Sequence, residues 1–466
     1  MAPNSIVTAA DAAHLLRRAG FGGTPAEIDA LTGRTRRSCV DALMGFTDSD
    51  PAPEGPDVGE PAFVTLSDQW KAQSQATNWW VARMANLPNR TVLPSAVGAV
   101  AAPSALQEKM VLFWHGHFAC AQDKVGDFPV MWDQLRMFRR MGLGNFSALV
   151  KAVAVHPAML VYLDNETNVA GLVQENFARE LMELYTCGVG HYSEDDVVAM
   201  ARAWTGHNTV GWNGSFRDTS YVYRPEMHDH GDKRLFGVTA NWNGIAQNAG
   251  ERDTVDELVD GSRRTATARH IARKLFRFLV HDRPSDAVVS DLAGAFVASD
   301  MQVAALLRAV LLHDEFWRST TRHALPKSPA EYVASVVKRT GIPAATMGLR
   351  WRMIPMGQVL FDPPGVEGWG GGDTWISTSS LWARGSLMNQ VVRWEAADRG
   401  LLSDIASLTP AQATQAILDL FGLETVSAST RREMERWHRR ATEMGTWPMP
   451  MQGFLLGVLS PEFQVQ

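Results

Sequence analysis

The feature that most constrains this fold is a helical hydrophobic repeat that recurs along nearly the whole chain. Apolar residues recur three and four positions apart, which is the spacing of one face of an α-helix. A mainly α fold is therefore expected. Helices are predicted at 8–20, 25–46, 65–86, 104–118, 128–141, 145–162, 174–188, 193–204, 264–281, 284–298, 301–312, 328–340, 378–397, 410–421 and 428–442.

Two stretches interrupt the helical repeat. Residues 48–62 are rich in proline and acidic residues and predict a surface loop. Residues 205–244 alternate aromatic and polar residues between turn-forming pairs, which predicts short strands or a β-hairpin insertion on the helical body. Neither an internal repeat nor a clean linker divides the chain, so a single helical domain over 1–466 is expected.

Length, cysteine content and net charge argue against disulfide-stapled and nucleic-acid-binding classes of protein. With 466 residues the chain can bury a large core without disulfides. Its three cysteines form no CxxC pair, so free thiols in a reducing compartment are expected, and one disulfide with a spare thiol remains an alternative outside the cell. A formal net charge of -6 argues against nucleic-acid binding, which depends on clustered lysine and arginine.

The N-terminal sequence predicts no secretory signal, because no apolar segment follows a basic start. The longest apolar runs are shorter than the roughly 20 residues that a spanning helix needs. A soluble, cytoplasmic chain is therefore expected from the sequence as it stands. A periplasmic location is the alternative if an export segment has been removed.

The first candidate site is the HGH sequence of His115 and His117. Two histidines two positions apart point the same way on a strand or turn, which suits a metal ion, whereas on a helix they point about 200° apart. Gly116 favours a helix end here, so we expect the pair on a turn. The alternative is that both rings pack and form hydrogen bonds inside a core.

The second candidate is QENFARELMELYTCG at 174–188. At about 100° per residue, five polar residues share one face, and Glu175–Arg179 and Arg179–Glu183 have the spacing of stabilising ion pairs. A solvated face is therefore one interpretation. The other is that Glu180 and Glu183, three residues apart, chelate one cation.

The third candidate is MHDHGDKRLFG at 227–237, the densest cluster of ionisable groups in the chain. His228, Asp229, His230, Asp232 and Lys233 fall within six positions of a segment expected to be a loop or hairpin. Such a cluster suits a metal ion or a general base. A polar hairpin tip is the alternative.

The fourth candidate is the Gly/Trp loop at 360–377, in which three consecutive glycines lie between Trp369 and Trp375. It has neither phosphate-binding glycine pattern, so it carries no nucleotide fingerprint. Exposed tryptophan beside glycine suits stacking on a sugar or an aromatic ligand. Simple packing between helices is the alternative.

Taken together, these segments resemble the bacterial DUF1800 family over nearly the whole chain. The segments that carry the resemblance are HLLRRAGFGGTPAEIDAL (14–31), EKMVLFWHGHF (108–118), YLDNETN (162–168), QENFARELMELYTCGVG (174–190), HDHGDKRLFG (228–237), ARHIARKLFRFLV (268–280), KSPAEYVAS (327–335) and GQVLFDPPGVEGWGGGDTWIS (357–377).

The resemblance implies a helical fold and no established reaction. Many members are exported and encoded beside a DUF1501 protein, which resembles the alkaline-phosphatase superfamily, so a DUF1501-type partner is expected. This chain departs from the family pattern by having Tyr185, Thr186 and Cys187 in place of His-Thr-Leu, and His230 at a variable position. Because the four candidate segments are family motifs, we expect them to converge on one site.

These observations lead to the hypothesis of a metal-dependent enzyme, most simply a hydrolase that activates water on zinc, manganese or iron. The predicted metal ligands are His115, His117, Glu180, Glu183 and His228, with Asp229 as an alternative to His228. The predicted catalytic groups are Glu175 or Asp229 as general base, with Arg179 and Lys233 holding negative charge. The predicted contacts to a small-molecule or glycan substrate are Asn176, Trp369 and Trp375.

Two other functions stay open from the sequence. One is a metal- or haem-dependent oxidoreductase, with His115 or His117 as an axial ligand in the haem case. The other is a non-catalytic binding or assembly protein that acts with a DUF1501-type partner. In that case the polar helix would be an ion-pair network, and the Gly/Trp loop would dock a glycan or a protein.

Overall fold

The computed structural model describes residues 4–45, 66–85, 105–210, 219–398, 405, 407–423, 426–444 and 450–466. The predicted loop at 48–62 lies outside them. The helices of the first half are α1 (Ala9–Arg18), α2 (Pro25–Leu31), α3 (Arg36–Met44), α4 (Gln69–Met84), α5 (Ala105–His117), α6 (Gln122–Val125), α7 (Phe128–Met141), α8 (Phe146–Ala154), α9 (Pro157–Tyr162), α10 (Asn176–Glu180) and α11 (Glu194–Ala203).

The second half continues the helical pattern, and the predicted mainly α fold is confirmed. Its helices are α12 (Thr254–Val259), α13 (Arg264–Leu279), α14 (Asp286–Ala298), α15 (Val303–Leu312), α16 (Pro329–Thr340), α17 (Leu349–Met353), α18 (Thr378–Asp398), α19 (Pro410–Phe421), α20 (Ala428–Met444), α21 (Pro450–Leu459) and α22 (Pro461–Gln464). Short 3-10 turns occur at Asn165–Thr167, Pro225–Met227, Ser319–Thr321, Ala344–Thr346, Ile354–Met356 and Gly372–Trp375.

Two predicted helical stretches each form two helices. Within 25–46 the chain turns between α2 and α3, where Gly33 has φ +81°. Within 145–162 the break falls at Pro157, which has no N–H for a continuing helix and instead begins α9. The His156 side chain caps α9 by accepting the Ala158 N–H. Local turn and cap chemistry therefore overrides the periodic pattern at both places.

The predicted β insertion is confirmed as three small two-stranded sheets. Strand β1 (His207–Val210) pairs antiparallel with β2 (Ser220–Tyr223), and β3 (Lys233–Leu235) pairs with β4 (Val238–Ala240). Beyond the predicted limit, β5 (Trp242–Asn243) pairs parallel with β6 (Arg252–Asp253). Residues 211–218 of this segment lie outside the described residues.

Helix α5 runs through the hydrophobic core and carries a buried charge. Nearly all of its side chains are buried. Glu108 is fully buried and accepts hydrogen bonds from Arg83 (2.9 Å), Arg139 (2.8 Å) and the Trp80 indole N–H (2.9 Å). These partners hold the pKa of Glu108 below its usual value against the effect of burial, so its charge is retained inside the core.

Two further features are the state of the cysteines and the length of the described helices. All three cysteines are buried and unbridged. Among the described helices, none is both long and apolar enough to cross a membrane.

Candidate functional site

A cavity of about 500 Å³ opens at the C-terminal end of α5. Its walls come mainly from α5, from α13, from residues 324–326 and 328, and from the Gly/Trp loop. Two tryptophan rings and several ionisable side chains line it, namely Trp369, Trp375, His117, Lys274, Arg277, Asp282, Glu331, Glu367 and Asp373. A concave site that combines apolar walls with a few polar groups is the usual form of a small-molecule site.

Close contact between two glycines positions the Gly/Trp loop over α5. Gly368 has φ +77°, and a Cβ placed on it would lie 2.1 Å from the carbonyl oxygen of Gly116. Only glycine fits this position without strain, because it has no Cβ and tolerates positive φ. The contact places Trp369 in the cavity lining, with its ring 5.2 Å from the ring of His115.

A π-helical turn at the end of the polar segment forms another part of the site. Helix α10 continues as a π-helix over Leu181–Tyr185, and π-turns are frequent at functional sites. The carbonyl of Leu184 accepts hydrogen bonds from His270 Nε2 (3.0 Å) and Lys274 Nζ (3.0 Å). The carbonyl of Tyr185 accepts one from His117 Nε2 (3.2 Å). The polar segment is thereby joined to α5 and α13 through its backbone.

Lys274 and His117 form a hydrogen-bonded pair in the cavity lining. Because His117 Nε2 donates to a carbonyl, its Nδ1 is an acceptor, and Lys274 Nζ donates to it at 3.1 Å. Burial and the nearby Lys274 and His270 lower the pKa of His117 well below its usual value, so the imidazole is neutral. Burial lowers the pKa of Lys274 to about 8, with Glu367 opposing and Arg277 reinforcing that shift.

The charged face of the polar helix is largely an ion-pair surface. Arg179 donates to Glu194 (2.8 and 2.9 Å) and lies 3.5 Å from Glu175, which confirms the predicted Glu175–Arg179 pair. Glu183 instead accepts the hydroxyl of Tyr192. These contacts agree with the solvated interpretation for this face.

Two other polar residues of this helix have different surroundings. Burial raises the pKa of Glu180, and the carboxylates of Glu183 and Glu367 add to that rise, whereas Arg179 opposes it. Asn176 is exposed and directs its amide toward the carbonyl of Leu163 at 3.5 Å. Neither side chain lines the cavity.

The HDHGDK segment forms a turn that is tied to its own backbone and to Arg202 and Thr205. Asp229 accepts from Arg202 at 2.7 Å, and Lys233 donates to the carbonyls of Asp229 and Gly231. His228 bonds through Nδ1 to the carbonyl of Thr205 at 2.8 Å. None of these three side chains reaches the cavity lining.

The expected turn at HGH is wrong, because α5 continues through both histidines. Residues two apart on a helix point in different directions. His115 faces Phe361 and Trp80, and its Nε2 accepts the Phe361 N–H at 2.9 Å. His117 faces the cavity and Tyr185 instead. The helix therefore does not direct the two imidazoles at one point.

Comparison with known proteins agrees with the resemblance found in the sequence. A family model described as "Protein of unknown function (DUF1800)" matches residues 14–465. The chain belongs to the DUF1800 family. No curated protein and no solved structure matches it.

In this DUF1800 chain the predicted site residues separate into two groups. The cavity lining contains His117, Trp369 and Trp375. The other predicted residues lie outside the lining, namely Glu175, Asn176, Arg179, Glu180, Glu183, His115, His228, Asp229 and Lys233. Within the described ranges no group of three or more histidine, cysteine or acidic side chains is arranged to hold a metal ion.

Sequence reasoning missed Lys274, Arg277 and Glu367 in the lining. The signal for Lys274 was present in ARHIARKLFRFLV, where His270 and Lys274 are four residues apart on an amphipathic helix. Both side chains extend to the same carbonyl from adjacent turns of α13. Glu367 had no comparable signal, since it lies on an irregular loop.

Proposed function

We propose that the cavity is the active site of an enzyme that acts on a polyhydroxylated small molecule. Hydrolysis, the reaction expected from the sequence, is the first reaction to test. One observation supports this most directly: two indole rings and a hydrogen-bonded pair of half-buried Lys274 and buried His117 face the same 500 Å³ space. That volume lies within the range of cavities that enclose small ligands.

The lining suits a ligand with apolar faces and a polar edge. Trp369 is half-buried and Trp375 is mostly buried, so both offer part of an indole surface to the space between them and α13. Ring C–H groups of a sugar pack on such surfaces, while hydroxyl groups find donors and acceptors in Arg277, Glu367 and Asp373.

Lys274 is the acid–base group of the proposed site. Its Nζ donates hydrogen bonds to the Leu184 carbonyl and to His117 Nδ1, and its third N–H has no hydrogen-bond partner among the described residues. A pKa of about 8 allows this group to take up and release a proton near neutral pH. Arg277, on the next turn of α13, supplies positive charge for an anionic intermediate.

A zinc, manganese or iron ion at this site remains a prediction. The hydrogen bonds of His115 and His117 do not favour it. His115 Nε2 accepts a backbone N–H, and both ring nitrogens of His117 are hydrogen-bonded. Neither imidazole therefore offers a free lone pair in this arrangement. The oxidoreductase and the binding protein acting with a DUF1501-type partner stay as alternatives, and a binding measurement followed by a turnover measurement separates them.

The test is calorimetric titration of the full chain with a panel of monosaccharides, sugar acids, aliphatic acids and nucleosides. We expect polyhydroxylated compounds to bind and Trp369→Ala to weaken their affinity at least tenfold. Trp382→Ala is the matched control, because Trp382 is 80% exposed on α18 and lies outside the lining. Equal affinity in both variants, or binding confined to compounds without hydroxyl groups, would contradict the proposal.

Turnover is then followed with glycosides and esters of whichever compound binds. Lys274→Met should abolish the reaction and retain ligand binding. Binding without turnover in the wild type, together with unchanged binding in Lys274→Met, would favour the non-catalytic alternative.

A further inference from the structure

We propose that Lys274 forms an imine with the carbonyl carbon of an open-chain hydroxyaldehyde or hydroxyketone in the cavity. This inference rests on the proposed function, because it names the carbonyl form of a polyhydroxylated ligand as the reacting species. It adds a covalent step that proton transfer alone does not require. Three features of the structure support it.

The first feature is the orientation of the amine. Hydrogen bonds to Leu184 O (3.0 Å) and His117 Nδ1 (3.1 Å) fix Lys274 Nζ at the end of its flexible side chain. When neutral, a tetrahedral amine that donates both N–H groups in this way leaves its lone pair in the remaining direction. Fixing the nucleophile before reaction reduces the entropy that the step must lose.

The second feature is the electrostatic surroundings of the amine. His270 and Arg277 face it from its own helix, His117 faces it from α5, and Glu367 faces it from the Gly/Trp loop. Burial lowers the pKa values of both histidines, to about 4 for His270, so neither imidazole is charged near neutral pH. Burial and Arg277 favour the neutral amine, and Glu367 alone opposes them. Desolvation of this kind activates a lysine as a nucleophile.

The third feature is the difference between Lys274, which is half-buried, and two buried lysines whose pKa values are also lowered. The pKa of Lys233 is also lowered to about 8, but its Nζ donates to two backbone carbonyls outside the cavity. Lys327 is buried against the ring of Phe463 and donates to the carbonyl of that residue. Lys274 is the lysine that lines the described cavity. Among these three lysines, it alone combines a lowered pKa with access to a ligand.

The reaction is a condensation that releases water. The lone pair of Nζ forms a bond to the carbonyl carbon, and a proton moves from nitrogen to the former carbonyl oxygen to give a carbinolamine. That hydroxyl group then takes up a proton from solvent and leaves as water while the nitrogen forms the C=N bond. The neutral amine, the carbonyl compound and one solvent proton thus give a protonated imine and one water molecule, so atoms and charge balance without an oxidant or a reductant.

The test traps the imine as a stable amine. The full chain is incubated with glyceraldehyde and cyanoborohydride, and the modified residue is mapped by mass spectrometry at low extents of labelling. We expect Lys274 to be labelled at least tenfold faster than Lys151. Lys151 is the matched control, because Asp253 and Asp256 raise its pKa and keep the amine protonated. The labelling rate at Lys274 should rise with pH through about 8 and then level off.

Two variants distinguish this inference from the proposed function. Lys274→Arg keeps a donor for Leu184 and should remove the fast labelling, whereas Lys151→Arg should leave it intact. Labelling of Lys274 no faster than that of Lys151, in a chain that still binds polyhydroxylated ligands, overturns the imine and leaves the proposed function standing. If those ligands do not bind and Lys274 is not labelled, both proposals fall.

Discussion

The contact between Gly368 and Gly116 can be tested by replacing glycines of the same loop. Gly368→Ala combines positive φ with a Cβ 2.1 Å from a backbone oxygen. The left-handed conformation costs a non-glycine residue roughly 1–2 kcal/mol, and overpacking typically adds about 1–3 kcal/mol. A loss of about 2–5 kcal/mol in the free energy of unfolding is therefore expected, with displacement of the Gly/Trp loop from α5.

Two neighbouring glycines separate these contributions. Gly372 has φ +60° but open space where a Cβ would lie, so Gly372→Ala should lose only the roughly 1–2 kcal/mol of backbone strain. Gly371 has φ -130° and open space, so its alanine variant should be neutral or gain up to about 1 kcal/mol from a less flexible unfolded chain.

The assay is urea unfolding followed by circular dichroism, with the shift in midpoint compared at unchanged slope. The expected order of stability loss is Gly368→Ala, then Gly372→Ala, then Gly371→Ala. If Gly368→Ala is no more destabilising than Gly372→Ala, the close approach of the loop to α5 does not contribute, and the argument for the position of Trp369 fails.

Three further predictions concern charge and burial. Glu108→Gln should lower the free energy of unfolding by about 3–5 kcal/mol, because it leaves buried arginines without a charged partner. Glu194→Gln, which changes the exposed partner of Arg179, should cause no resolvable change in the same urea assay. The Lys274 amine should titrate near pH 8 in a lysine-selective chemical-shift experiment. Because the pKa of this side chain in the unfolded chain lies near 10.5, its contribution to the free energy of unfolding should rise from pH 8 to pH 10.5. A midpoint near pH 10 would contradict the argument that burial lowers this pKa. The three buried cysteines should not react with a thiol reagent in the folded chain and should all react in denaturant, whereas fast reaction of any of them before unfolding would contradict their burial.

Much of the fold could be predicted because its determinants are local. At the start of α11, for example, Ser193 and Asp196 form a capping box from residues only three positions apart. The breaks at Gly33 and Pro157 were not predicted, because one continuous helix and two consecutive helices can give the same periodic pattern. Helix α21 was missed because PMQGFLLGVL is apolar nearly all round and has no amphipathic period.

The candidate site was less predictable, because it depends on contacts between distant segments. Helical spacing cannot show that Lys274 meets His117, which lies 157 positions earlier in the chain. Nor can it show that Arg179 forms an ion pair with Glu194. Trp369 and Trp375 were found because tryptophan beside consecutive glycines on a loop is itself unusual.

The polar helix contributes to the site in a way that its charges did not indicate. Its glutamates and its arginine mostly pair with one another or with neighbours at the surface. Its effect on the cavity comes through the carbonyls of Leu184 and Tyr185, at the end of the π-turn. In a regular α-helix that continued, these carbonyls would accept from N–H groups four residues later. Here the helix ends, and a lysine and two histidines from α13 and α5 are the donors instead. The geometry of Lys274 therefore depends on the backbone conformation of this segment more than on its acidic side chains.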